Sequence, residues 1–102
     1  MDYSLLPDKK NVKCIMKGEF TFSDHPTFRS MIDEAVKTGA QTIQVDLANV
    51  DYVDSAGLGM FLVAQERAQS EDWTFRISNP RERVKTMFKL VKLETLIQVV
   101  DE

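Results

Sequence analysis

The chain reads as α/β, a small sheet whose first strands form a hairpin and whose later strands run parallel, and three features of its 102 residues carry that reading. Two short apolar segments near the N-terminus are separated by a polar break. Beyond them, helical and period-two segments alternate, an order that right-handed crossovers convert into parallel strands. Third, the stretch Asp54-Ser55-Ala56-Gly57-Leu58-Gly59 places a polar pair and two glycines between an apolar strand and an apolar helix. One core is expected to bury roughly two thirds of the unfolded-chain surface at this length, so residues 1–102 are expected to form one domain.

Taken in order, Tyr3 to Leu6 starts an edge strand, and Pro7-Asp8-Lys9-Lys10-Asn11 turns the chain into Val12 to Met16, giving an antiparallel hairpin. Gly18 allows a bend. Phe20 and Phe22 stand at strand spacing and are expected in the core. Asp24 or Ser23 then caps a helix with Pro26 in its first turn, where a missing N–H costs nothing. Phe28, Met31, Ile32, Ala35 and Val36 follow i, i+3, i+4, i+7, i+8 and define one buried face. Gly39 ends that helix as a residue able to take positive φ.

The strand Thr42 to Leu47 comes next, alternating Ile43, Val45 and Leu47 with Gln44 and Asp46. A second helix runs from about Ser55 to Ser70. Its first half is apolar nearly all round, so either neighbours cover both flanks or Leu58 and Phe61 form an exposed docking patch. Trp73, Phe75 and Ile77 mark one face of the following strand. Asn79-Pro80 starts a third helix by cap and N1 proline, with Val84, Met87, Phe88 and Val91 as its apolar stripe. Leu96 to Val100 closes the chain as a short strand or edge segment.

Charge and composition remove several function classes. A net charge of −3 provides no electrostatic footprint for nucleic acid. The densest basic segment, Arg81 to Lys92, reads as the outer face of a helix. The single Cys14, inside an apolar strand, reads as a small buried hydrophobe, which suits a reducing cytoplasm. No run approaches signal-peptide pattern or the ~20 apolar residues of a membrane span, so a soluble chain without membrane insertion is expected. His25, the one histidine, cannot by itself build a Ser-His-Asp triad, and the Ser55 segment is not G-x-S-x-G. No catalytic residue, metal site or cofactor is expected. Gly57-Leu58-Gly59 matches neither G-x-G-x-x-G nor a Walker A loop, which leaves at most weak nucleotide binding at that helix start.

Ser55 itself has two readings. Its hydroxyl can cap the second helix. Alternatively, free N–H groups and the positive end of the helix dipole make an added phosphate electrostatically welcome there.

The run Asp46-Leu47-Ala48-Asn49-Val50-Asp51-Tyr52-Val53-Asp54-Ser55-Ala56-Gly57-Leu58-Gly59 resembles the signature of STAS domains, the anti-sigma-factor antagonists of bacterial partner switching, in which a strand ending D-L precedes D-S-x-G-L-G. Gly18-Glu19-Phe20 and Asp24 also sit where that family carries a G-E-hydrophobe segment and an Asp, so the resemblance spans about Val12 to Val100. It implies a mixed four- to five-stranded sheet with helices packed mainly on one side. It also implies that Ser55 accepts phosphate from a histidine-kinase-like serine kinase that acts as anti-sigma factor, and that a PP2C-type phosphatase removes it. Asp54 would position Ser55 and Asp24 would flank it. Ala56, Gly57, Leu58, Gly59 and Phe61 would lie in the partner-binding surface. One departure is visible, since Phe20-Thr21-Phe22 puts aromatics where many members carry Leu-Asp. The competing reading is a constitutive STAS subunit, for example of an ABC lipid-transport complex, with Ser55 only a helix cap.

Overall fold

The computed structural model describes residues Met1–Glu102. Strands β1 (Asp2–Asp8) and β2 (Asn11–Phe20) form the expected hairpin; α1 (His25–Lys37), β3 (Thr42–Val53), α2 (Ser55–Glu71), β4 (Thr74–Ser78), α3 (Glu82–Leu90) and β5 (Gln98–Val100) follow. The sheet order is β1-β2-β3-β4-β5. Only β1 is antiparallel to its neighbour, and every later pair is parallel. Each helical crossover therefore steps one strand in the same direction, and right-handed connections put all three helices on one face. The same topology gathers the starts of α1, α2 and α3 at the C-terminal edge of the parallel strands.

The covered face holds the core: Val12, Cys14 and Met16 from β2, Ile43, Val45 and Leu47 from β3, and Phe75 and Ile77 from β4. Four other aromatics surround Phe61 of α2. Its ring centroid lies 5.0 Å from Phe20, 5.8 Å from Phe28, 6.4 Å from Phe75 and 6.1 Å from Phe88. Two strands and both other helices thus meet on one side chain. The uncovered face is polar and internally paired. Gln44 accepts a hydrogen bond from Arg76 Nε at 2.9 Å and donates to Glu102 at 2.8 Å, and Lys13 pairs with Glu102 at 3.2 Å.

Three elements differ from the sequence reading. Phe20 is fully buried, but Phe22 is 77% exposed, because the chain leaves the strand at Thr21 and a 3-10 turn over Phe22–Asp24 breaks the alternation. Strand β3 extends six residues past Leu47 to Val53, where it keeps pairing with Lys17 to Phe20 beyond a register shift at Met16. Helix α3 starts at Glu82 rather than at Pro80. Asn79 takes a left-handed turn (φ 56°), and the Arg81 side chain ties the helix start to the Ala48 carbonyl and to Asp51. Val91 consequently falls past the helix and is exposed.

Cys14 is the buried hydrophobe its position indicates; burial, reinforced by the nearby negative charge of Glu34, pushes its thiol up to about 12. Thiolate is the reactive form. Ellman's reagent at pH 8 is therefore expected to find no thiol in the folded protein and one after urea unfolding. Phe61→Ala should cost about 3–5 kcal/mol, measured as a shift of the urea midpoint, and so consume much of a small domain's stability.

Candidate functional site

The junction between β3 and α2 is organised by Asp54. Its backbone is extended (φ −89°, ψ −179°), and its Oδ1 accepts from the Gly57 N–H at 2.8 Å. The other carboxylate oxygen, Oδ2, accepts from the Phe22 N–H at 3.1 Å, while the Asp54 N–H donates to the Phe20 carbonyl at 3.2 Å. One residue therefore caps α2 and fastens it to the end of β2. Of the two readings of Ser55, the cap does not hold: the cap is Asp54, and Ser55 is the first residue of the helix. Ser55 is exposed, and its hydroxyl makes no hydrogen bond within the chain. The N–H groups of Ser55 and Ala56 have no intrahelical acceptor, so the hydroxyl stands beside two free donors at the positive end of a seventeen-residue helix.

The two glycines of the segment do different work. Gly57 is buried, and a Cβ there would lie 2.8 Å from the Phe20 carbonyl oxygen and 2.8 Å from Val53 Cγ1. Its missing side chain is what allows α2 to approach β2 and β3. Beyond its own helix backbone and chain neighbours, Gly59 has no atom within 4 Å of where its Cβ would be, and it does not occupy the positive-φ region. Nothing within the chain requires a glycine there.

The surface differs from the patch expected around Leu58 and Phe61. Leu58 is 8% exposed, Phe61 fully buried and Gly57 buried, so these three belong to the core and not to a partner surface. They face the sheet because α1, β4 and α3 cover both flanks of α2. What α2 presents outward is Ala56, Gly59 and Val63, which line a groove of about 780 Å³ against α1. Val63 is 64% exposed. The i, i+3, i+7 spacing of those three was readable in the sequence, but an all-apolar first half hid which stripe faces out. Phe22 is hidden for the opposite reason: the period-two spacing it shares with Phe20 points to the core, and the 3-10 turn puts it outside.

Asp24 acts on the turn that carries Phe22. Its carboxylate accepts from the Met1 ammonium at 2.8 Å and from the Thr21 N–H at 2.8 Å. Partial burial works against its charge, but the ammonium and the Thr21 donors outweigh it and hold the carboxyl below its ordinary value. At the opposite end of the groove, Arg67 of α2 donates to Asp33 of α1 at 2.6 Å and pairs with Glu71 at 3.1 Å. The Arg67 hydrogen bond holds the Asp33 carboxyl below its usual range. His25 and Arg29 line the groove toward the Ser55 end; Arg29 makes no direct ion pair, but its charge contributes to lowering Asp33, one turn further along α1. No group of three His, Cys, Asp or Glu side chains is placed to hold a metal, and no helix is long and apolar enough to cross a membrane.

This geometry separates Asp54 from Ser55 in stability. Asp54→Ala should lower unfolding free energy by about 1–2 kcal/mol through loss of the cap, whereas Ser55→Ala should change it by no more than about 0.5 kcal/mol, as an exposed substitution without partners. Urea titration of both variants measures the contrast.

Comparison with known proteins agrees with the arrangement. A family model described as "Mlab, STAS domain" matches residues 9–99. A STAS-domain containing protein of Pseudomonas aeruginosa (strain UCBPP-PA14) is 27% identical over 92 residues, covering 90% of each chain. An anti-sigma-B factor antagonist of Staphylococcus epidermidis is 29% identical over 82 residues, 80% of this chain and 76% of that one. Among solved structures, the anti-sigma factor antagonist SpoIIAA in its unphosphorylated form superposes with a TM-score of 0.81 at 19% identity, covering 99% of this chain and 88% of that one. Bacillus SpoIIAA in its phosphorylated form superposes with a TM-score of 0.74 at 18% identity, covering 99% and 91%. With the mixed five-stranded sheet, the one-sided helices and a match over residues 9–99, the chain belongs to the STAS domain family, among whose members its relatives include anti-sigma factor antagonists.

Proposed function

We propose that this chain, acting as one cytoplasmic STAS domain over residues 1–102, is a phosphorylation-controlled antagonist in a partner-switching pathway. In its unphosphorylated form it binds a histidine-kinase-like serine kinase that doubles as anti-sigma factor, and so frees that kinase's other client. The kinase transfers a phosphoryl group to Ser55 Oγ, and a PP2C-type phosphatase restores the free hydroxyl. The chain itself catalyses nothing in this scheme; it is a substrate and a binding surface. The observation that carries the reading is the division of labour at the junction. Asp54 takes over capping, and Ser55 keeps an exposed hydroxyl with no structural duty.

The electrostatic consequence is direct. Phosphorylation adds about −1.5 to −2 charges, next to Asp54 and in front of the free N–H groups of the helix start. The helix end tolerates the phosphate locally. A partner packed over the same spot meets new bulk and new charge, and like-charge juxtaposition at an interface costs several kcal/mol, which is at least a hundredfold in affinity.

The test is affinity capture from cells with the parent chain, Ser55→Ala and Ser55→Glu as baits, each checked for folding by circular dichroism. The expected outcome is an ATPase of histidine-kinase-like fold bound by parent and Ser55→Ala and lost from Ser55→Glu. That purified kinase should then add one phosphate, read by intact-mass spectrometry, to the parent and none to Ser55→Ala. Equal retention of one partner by all three baits would instead make the chain a fixed subunit of an assembly such as an ABC lipid transporter.

A further inference from the structure

We propose that the groove between α1 and α2 seats a segment of the captured partner protein that is apolar and carries a carboxylate, lying against Gly59 and Val63 and pairing with Arg29. The proposal rests on the partner-switching reading for the class of partner, and adds where that partner lies and what chemistry it presents.

Gly59 is the first argument. Glycine inside a helix costs roughly 1 kcal/mol relative to alanine, and such a cost is ordinarily offset by a close packing contact or a positive φ. Gly57, two residues away, has the first of these; Gly59 has neither, and open space stands where its Cβ would be. A side chain missing on the outside of a helix leaves room for something that approaches from outside. The Ala56, Gly59 and Val63 stripe extends this low floor along α2. From Ala56 to Arg67 the groove follows about 16 Å of helix axis, enough for about three helical turns or five extended residues.

Charge supplies the second argument and is distributed unevenly. At the far end Arg67 is already satisfied by Asp33 and Glu71 and ties α1 to α2. Toward the Ser55 end the lining includes His25 and, one turn further along α1, Arg29, beside the positive starts of two helices. Arg29 makes no direct ion pair and reaches the Arg67-bound Asp33 only through its charge. A carboxylate on the incoming segment meets its complement there. The same end lies beside Ser55. A phosphate on that hydroxyl competes for the local positive potential and repels the segment's carboxylate, so one arrangement accounts for both capture and release.

The experiment places a photo-crosslinking residue at the groove in living cells: Val63→p-benzoylphenylalanine, with Leu96→p-benzoylphenylalanine as the control on another exposed apolar position. Adducts are mapped to the crosslinked peptide by mass spectrometry. The expected result is an adduct at Val63 in the Ser55→Ala background whose peptide is apolar and contains Asp or Glu. Gly59→Leu should reduce its yield at least tenfold while thermal stability stays equal or rises. Arg29→Glu should reduce it severalfold, and Arg29→Lys should retain most of it. No adduct at Val63, an adduct to a peptide whose only charges are basic, an adduct to a second copy of this chain or to lipid, or an adduct indifferent to Gly59→Leu overturns the proposal. The two readings fail separately. An adduct that meets every expectation yet persists in Ser55→Glu keeps the groove and ends the phosphoswitch, and kinase capture by Ser55→Ala without a Val63 adduct does the reverse.

Discussion

Everything in this molecule hangs from the contact of Phe61 with four other aromatic rings. Phe20 arrives from the end of β2, Phe28 from α1, Phe75 from β4 and Phe88 from α3. Each crossover of the fold thereby ends on the same side chain. Aromatic pairs at these separations add to what their buried area contributes, and a small domain has few kcal/mol to spare. The placement of Phe61 also determines which side of α2 is available to anything else. Once Gly57 and Phe61 pack against the sheet, the stripe through Ala56, Gly59 and Val63 lines the groove toward α1.

Asp54 converts that core into a site. Its two carboxylate oxygens serve two different elements, the start of α2 and the turn after β2. The exposed ring of Phe22 is therefore not on a loose loop. Its backbone is held from one side by Asp54 and from the other by the turn that Asp24 closes with Thr21 and the Met1 ammonium. The Phe22 backbone is thus fixed beside the start of α2, which sets the Phe22 ring and the Ser55 hydroxyl on one exposed edge.

Much of this was written plainly in the chain. The polar break Pro7 to Asn11 marks the hairpin, the Phe28 to Val36 spacing marks α1, and Gly39 does take positive φ (78°) at its end. The fate of Cys14 follows from its place in an apolar strand. Other features were illegible for identifiable reasons. Asp54 and Ser55 are both good N-caps, and what decides between them is a hydrogen bond from Phe22, thirty-two residues earlier in the chain. Phe20 and Phe22 share a period-two pattern, yet a 3-10 turn separates their fates. Leu58, Phe61 and Val63 are equally apolar, and only the packing of α1, β4 and α3 around α2 sorts them. Asn79-Pro80 looks like a helix start, but the asparagine is used for a left-handed turn, and the tether from Arg81 sets the boundary.

The tight seat of Gly57 against the Phe20 carbonyl and Val53 bears on how information leaves this molecule. With no room even for a methyl group between Gly57 and the Phe20 carbonyl, the first turn of α2 is seated directly on β2 and β3. Under the function proposed above, a phosphate on Ser55 acts on whatever touches the surface at that exposed hydroxyl. On that reading, the timing of the switch belongs to the enzymes that add and remove the phosphate and to the dissociation rate of the partner.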